Sequence, residues 1–287
     1  MPLVRMDALL QEARERGYAV AAFECWNSAN VYAIARGAAA CEMPVIFQAS
    51  AAEYNAMGGA KALREIVSLY VNMTGITAAL HLDHGTTLEH VRECVDAGFT
   101  GVMLDASRLP YEDNVALTRQ AVSLAHAHNV PVEAELGHVA GCEADLDDSG
   151  YDADLLTDPA QAAEYVARTG LDCLAVAIGT VHGAYKAAPR IDLDRLDAIA
   201  SSVSVPLVLH GGSGTPRDVV QQAIHRGITK INVCTDIHVA WLDGIAEARA
   251  SLTPSVPGRF YAPAQERLER VVRDTITLFA MGRARPC

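Results

Sequence analysis

Eight short runs of β-formers and small apolar residues alternate with helical stretches along this chain. That alternation constrains the fold more than any other feature. The runs cover residues 19–23, 44–48, 77–82, 101–105, 131–136, 173–178, 206–210 and 230–233. Helical patterns follow at 28–41, at 87–97, through Ala127 and from about Thr235. Strands alternating with helices imply βαβ units around a parallel sheet. Runs such as VPVEAEL, CLAVAIG and VPLVLH are almost wholly apolar or small, as strands covered on both faces must be. Eight units predict a closed (β/α)8 TIM barrel, with residues 1–287 forming one domain. The chain is longer than the usual domain of ~150 residues, but α/β barrels of ~250 residues are a regular exception.

Two segments exceed what a barrel needs. The loop 138–158 is polar, acidic and glycine-containing, which predicts a lid or a disordered stretch. Gly137 and Gly141 are its candidate hinges. From about Tyr261, the spacing of Leu268, Val271, Val272, Ile276 and Phe279 predicts an amphipathic C-terminal helical extension. At the other end, residues 1–17 carry Arg5, Asp7, Glu12, Arg14, Glu15 and Arg16 with no long apolar core. They predict an N-terminal surface helix rather than a signal peptide or membrane span.

Composition narrows the function classes. A net charge of −12 argues against a nucleic-acid partner, which needs clustered Lys and Arg. It leaves room for a small phosphate, which backbone amides hold without net positive charge. The seven cysteines are scattered, odd in number and free of a CxxC pair, which predicts a reducing, cytoplasmic setting.

In a barrel, chemistry collects at the C-terminal ends of the strands. There the third run ends in His81-Leu82-Asp83-His84-Gly85, and the fourth ends in Asp105 and Ser107. The fifth carries Glu133 and Glu135, and Gly179-Thr180-Val181-His182-Gly183 follows the sixth. The seventh ends in His210-Gly211-Gly212-Ser213-Gly214, and Asn232, Thr235 and Asp236 close the eighth. A lone histidine is usually a surface or core residue. His84, His182 and His210, however, reach one rim from three strands, each beside a glycine that permits close backbone approach. Three converging imidazoles match a zinc ligand set with one coordination position open. Asp83 reads in two ways, as a carboxylate that orients a metal-bound histidine or as a general acid/base. The stretch LHGGSGTP leads from a strand into a helix whose amides and dipole suit a phosphate.

Together these motifs resemble the class II, metal-dependent fructose- and tagatose-bisphosphate aldolases, particularly the shorter tagatose-type branch. The resemblance runs from AAFECWN through HLDHG, GVMLDAS, VEAELG, GTVHGAYK, LHGGSG and KINVCTD to FYAPAQERLERVV. It implies a lyase that reversibly cleaves a phosphorylated ketose to dihydroxyacetone phosphate and an aldehyde. It assigns the catalytic Zn2+ to His84, His182 and His210. Asp83 would exchange a proton at the C4 hydroxyl or aldehyde oxygen, and Glu143, eight residues after Glu135, would move the C3 proton. Gly183, Gly211, Ser213, Asn232 and Thr235 match the positions that hold the dihydroxyacetone phosphate end, where a monovalent cation (Na+ or K+) assists. Asp105 and Glu135 match an accessory metal site; support of the histidines is the alternative for both. Family members form dimers or tetramers, so a homo-oligomer is expected.

The departures fall at the acceptor end. Glu24 stands where the family has an asparagine that, with a serine matching Ser50, lies near the far phosphate. The family's phosphate-binding arginine aligns with Gly258, with Arg259 adjacent, and Cys142 and Cys234 replace more usual residues. A carboxylate 4 Å from a phosphate is repelled by ~4 kcal/mol at an effective dielectric of ~20. Two substrate types stay open: a fructose or tagatose 1,6-bisphosphate, with Arg259 substituting at the far phosphate, or a ketose 1-phosphate whose acceptor aldehyde lacks the second phosphate, with Glu24 hydrogen-bonding a sugar hydroxyl. Two other readings remain at this point. One is a zinc-dependent hydrolase on the same scaffold, since an open zinc also activates water. The other is a non-catalytic sugar-phosphate sensor.

Overall fold

The computed structural model describes residues 3–139, 155–183, 190–251 and 259–285. Its centre is a closed barrel in the order β1-β2-β3-β4-β5-β6-β7-β8. The strands are β1 (Val20–Glu24), β2 (Val45–Ala49), β3 (Ala78–Gly85), β4 (Gly101–Leu104), β5 (Val132–Leu136), β6 (Cys173–Val176), β7 (Leu207–Leu209) and β8 (Ile228–Val233). Every neighbouring pair is parallel, and β1 closes on β8 through Val20↔Lys230 to Phe23↔Val233. The predicted alternation is therefore the observed one, with boundaries shifted by a few residues. Two helices not assigned from the sequence stand between β2 and β3.

The helices, in chain order, are α1 (Met6–Arg16), α2 (Ser28–Cys41), α3 (Ala51–Ala56), α4 (Ala60–Thr74), α5 (Leu88–Ala97) and α6 (Tyr111–His126). They continue with α7 (Pro159–Thr169), α8 (Leu193–Ser202), α9 (Arg217–His225), α10 (Thr235–Ser251) and α11 (Ala262–Phe279). Their ends follow from local chemistry. Asn27 and Asn30 form a reciprocal capping box at the start of α2, and the Asp158 carboxylate accepts from Ala160 and Gln161 at the start of α7. Among the described residues no helix is long and apolar enough to cross a membrane.

Strand residues divide by parity. Phe23, Val45, Phe47, Leu80, Leu82, Val102 and Leu104 point outward into the layer shared with the helices. Val20, Ala22, Ile46, Ala79, Cys173, Ala175 and Val208 point inward and form a separate apolar cluster with Met6, Leu9, Leu10 and Ala13 of α1. The N-terminal helix is thus more than a surface helix: its apolar stripe closes the barrel floor. The C-terminal helix α11 buries Leu268, Val272, Ile276 and Phe279 while packing on α10 and α2.

Candidate metal centre

Above the floor the inward positions turn polar. Gln48, His81, Asp83, Glu133, Glu135, His210, Lys230 and Asn232 are all buried. At the rim, the rings of His84, His182 and His210 face one another, with centroid separations of 5.0 Å (84–182), 4.7 Å (84–210) and 5.8 Å (182–210). One nitrogen from each lies within 4.8 Å of the other two.

Local backbone explains how adjacent residues Asp83 and His84 both reach the site. In a regular strand they would face opposite sides of the sheet. Between Leu82 and Gly85 the pairing of β3 with β4 shifts register, and His84 adopts φ 44°, the left-handed region that non-glycine residues rarely enter. Gly85 is required beside this bulge, because a Cβ there would sit 2.6 Å from the Met103 carbonyl oxygen. Gly211, at φ 66°, plays the matching part after β7: a Cβ there would come within 2.4 Å of the Val181 carbonyl oxygen. The segments bearing His182 and His210 can therefore meet only over a glycine.

Carboxylates sit behind the rings. His84 Nδ1 lies 2.7 Å from Asp105 Oδ2, and His210 Nε2 lies 2.9 Å from Glu133 Oε1. Those contacts set the tautomers and turn His84 Nε2 and His210 Nδ1 towards the centre. His84 Nε2, His182 Nε2 and His210 Nδ1 are all buried without a hydrogen-bond partner. His210 Nδ1 is 2.8 Å from Glu135 Oε2, but too far off line for a hydrogen bond, and both atoms stay unsatisfied. Three inward-facing nitrogens left without hydrogen bonds are costly unless a ligand takes them. The donor set therefore fits a zinc-type ion.

The field in this pocket is strong. Burial disfavours charge on His84, yet the Asp83 charge and the bond to Asp105 outweigh it and push its pKa up to about 10. Burial likewise opposes charge on His210, and its contacts with Glu133 and Glu135 raise it to about 9. His182 moves the other way, to about 3, through burial and then repulsion from the other two rings. Asp83 is buried, which alone would raise its pKa; His84, Lys230 and His210 more than compensate and hold it below the usual carboxylate value. It accepts hydrogen bonds from Gln48 Nε2 (2.8 Å) and Asn232 Nδ2 (3.0 Å).

Residues 4–282 match the family described as fructose-bisphosphate aldolase class-II. The chain belongs to this family. A probable fructose-bisphosphate aldolase from Bacillus subtilis is 40% identical over 275 residues, covering 95% of each chain. The fructose-bisphosphate aldolase of Geobacillus stearothermophilus is 40% identical over 276 residues with the same coverage. Among solved structures, the YdjI aldolase of Escherichia coli K12 superposes with a TM-score of 0.84 at 30% identity, covering 97% of each chain. The chain is accordingly a lyase of the aldolase type.

The other positions expected from the sequence lie at the strand ends and in the segments beyond them. Gly211, Ser213, Asn232 and Thr235 stand at the ends of β7 and β8, joined by Gly212 N–H donating to the Asn232 carbonyl at 3.1 Å. Ser213 Oγ accepts from the amides of Cys234 and Asp236, both at 3.2 Å, and so anchors the start of α10. Gly183 follows His182 on the neighbouring segment. Asp105 and Glu135 each fall within 4.8 Å of a His84 nitrogen, a grouping that also admits an ion. Glu143, Gly141, Cys142 and Gly258 lie outside the described residues. At the acceptor end, Ser50 caps α3, its hydroxyl and amide both engaged by Glu53. Arg259 is exposed. Glu24 is buried and paired with His238.

The structure adds residues to which the sequence assigned no role. Lys230 Nζ is fully buried and donates to Glu133 Oε2 at 2.9 Å, which together with His81 and His210 keeps Glu133 ionised well below its usual range despite burial. His81 Nε2 lies 3.6 Å from the same carboxylate, and burial followed by the Lys230 charge lowers its pKa to about 3. Gln48 joins them, donating from Nε2 to Asp83 at 2.8 Å. Their signal was present as polar residues in strands otherwise apolar, at the parity that faces the barrel axis.

Proposed function

We propose that this protein is a Zn2+-dependent aldolase that reversibly cleaves a phosphorylated ketose to dihydroxyacetone phosphate and an aldehyde. The carrying observation is the trio of buried, unsatisfied nitrogens on His84, His182 and His210, backed by carboxylates and set beside Asp83. A zinc ion held there would supply Lewis-acid stabilisation of the negative charge that develops as the C3–C4 bond breaks. Asp83, held ionised, takes the proton of the C4 hydroxyl as the aldehyde forms, and the bond's electron pair passes to C3. Glu143 delivers the C3 proton by family position. Asn232 and Gln48 fix the Asp83 carboxylate, and Gly183, Gly211, Ser213, Asn232 and Thr235 bind the phosphorylated three-carbon end, with Na+ or K+ assisting. Asp105 orients His84 and Glu133 orients His210, while Asp105 and Glu135 offer an accessory ion site beside His84. The same proposal covers residues 1–287 as one domain, a cytoplasmic location and a homo-oligomer.

At the acceptor end, buried Glu24 and Ser50 bound to Glu53 favour an aldehyde without a second phosphate. A panel of ketose 1-phosphates and 1,6-bisphosphates tests the scheme, with release of dihydroxyacetone phosphate followed in zinc-loaded and chelator-treated protein. Metal-dependent release is expected, strongest with singly phosphorylated ketoses. Preference for fructose or tagatose 1,6-bisphosphate would overturn the acceptor assignment, and absence of dihydroxyacetone phosphate would overturn the substrate class. Asp83→Ala is expected to lower kcat by ~10²–10⁴-fold with little change in substrate affinity.

A further inference from the structure

A second set of metal-ligating side chains lies on the same rim, between β1 and α10. Glu24 ends β1, and Cys234 immediately follows β8. Since Phe23 pairs with Val233, the next step along both strands sets Glu24 beside Cys234 across 210 residues of chain. His238 follows one turn later on α10, four residues after Cys234, and so shares its helix face. His238 Nε2 is 2.9 Å from Glu24 Oε2, and Cys234 Sγ donates to that same oxygen. One atom from each residue lies within 4.8 Å of the other two.

We propose that Glu24, Cys234 and His238 form a second site for a thiophilic divalent transition metal of the zinc type, separate from the three histidines. A thiolate, an imidazole and a carboxylate are the three donor types that zinc takes, and three protein ligands leave a position open. A thiolate and a carboxylate together neutralise a divalent ion, which suits the burial of Glu24 and Cys234 at 2% and 7% exposure. His238, with its side chain 38% exposed, is the entry side. On binding, the Cys234 thiol proton leaves to solvent and the metal takes the place of that hydrogen bond; no oxidation is involved. The surroundings are those of a built site. Trp26 meets His238 edge-on at 4.6 Å, Trp241 meets Trp26 at 5.9 Å, and Tyr261 stacks on Trp241 at 5.7 Å. Such an apolar wall fixes the ring and limits water. Bound metal would also cancel the negative charge that Glu24 presents to the rim.

The experiment is a Co2+ titration of metal-stripped, full-length protein. Thiolate coordination gives an intense near-ultraviolet charge-transfer band that three imidazoles cannot give. Of the chain's two tryptophans, Trp26 meets His238 and Trp241 packs behind Trp26, so their fluorescence should be quenched as the band grows. About two equivalents of Co2+ are expected, one of them carrying the band. In Cys234→Ala the band should vanish and the stoichiometry fall to about one. His238→Ala should weaken the band-forming step by at least ~10-fold, a second route if the first variant folds poorly. In His84→Ala the band should persist, so failure of the three-histidine site and failure of this one are separable. A wild-type protein with no thiolate band, or a band that survives in Cys234→Ala, overturns the proposal.

Discussion

The two ends of the barrel interior are built from the same strands and the same inward parity, yet they are chemically opposite. At the floor, Val20, Ala22, Ile46, Ala79, Ala175 and Val208 pack against α1 with no polar group among them. One pleat further along, Gln48, His81, Asp83, Glu133, His210, Lys230 and Asn232 occupy a space of similar burial. Apolar burial at the floor stabilises the barrel at ~25 cal/mol per Å². The polar layer must instead meet the desolvation of its charges by pairing them. Stability is therefore concentrated below and reactivity above, and the Lys230–Glu133 pair marks the seam.

Four substitutions would break or sharpen that contrast. The largest effect is expected at the seam. Lys230→Met strands the Glu133 carboxylate at zero exposure and should cost ~3–5 kcal/mol of stability by denaturant unfolding. Adding Glu133→Leu should recover most of that loss while releasing His210, so stability and metal retention part company. Next comes Leu10→Ala at the floor, with ~2–5 kcal/mol lost and zinc affinity unchanged. A large fall in zinc affinity would show that floor and rim are mechanically coupled. The smallest is Asp105→Ala, which frees His84 Nδ1 and should weaken zinc binding ~10–100-fold, or ~1.4–2.7 kcal/mol, with little effect on unfolding. Equal zinc affinity in that variant would remove Asp105 from the support of the site.

The fold was legible because its signal is local and repeated. The β-runs are short and almost wholly apolar or small, helical stretches alternate with them, and eight such units close in only a few ways. The convergence of the three histidines was legible because each ends or follows a strand on the barrel's C-terminal side, where the barrel rule places chemistry. The supporting layer was harder to read. Lys230 looks like an ordinary charged residue within KINV, and Glu133 gives no hint of its partner 97 positions away. The role of α1 was underread for a related reason: its charged residues face water while Met6, Leu9, Leu10 and Ala13 seal the barrel.

By itself, then, the sequence determined the alternating architecture, the histidines that converge on one rim and the aldolase family. Those properties are written in short-range pattern and residue type, which survive without knowledge of long-range contacts. Tertiary structure alone decided three things. The β3 bulge, with His84 at positive φ, turns two adjacent residues towards one site. Closing the barrel brings Lys230 to Glu133 and silences both charges inside the core. Joining β1 to β8 sets Glu24 beside Cys234 and His238. Each depends on contacts made only when the barrel closes, and chain closure, unlike periodicity, leaves no mark on any single stretch of sequence.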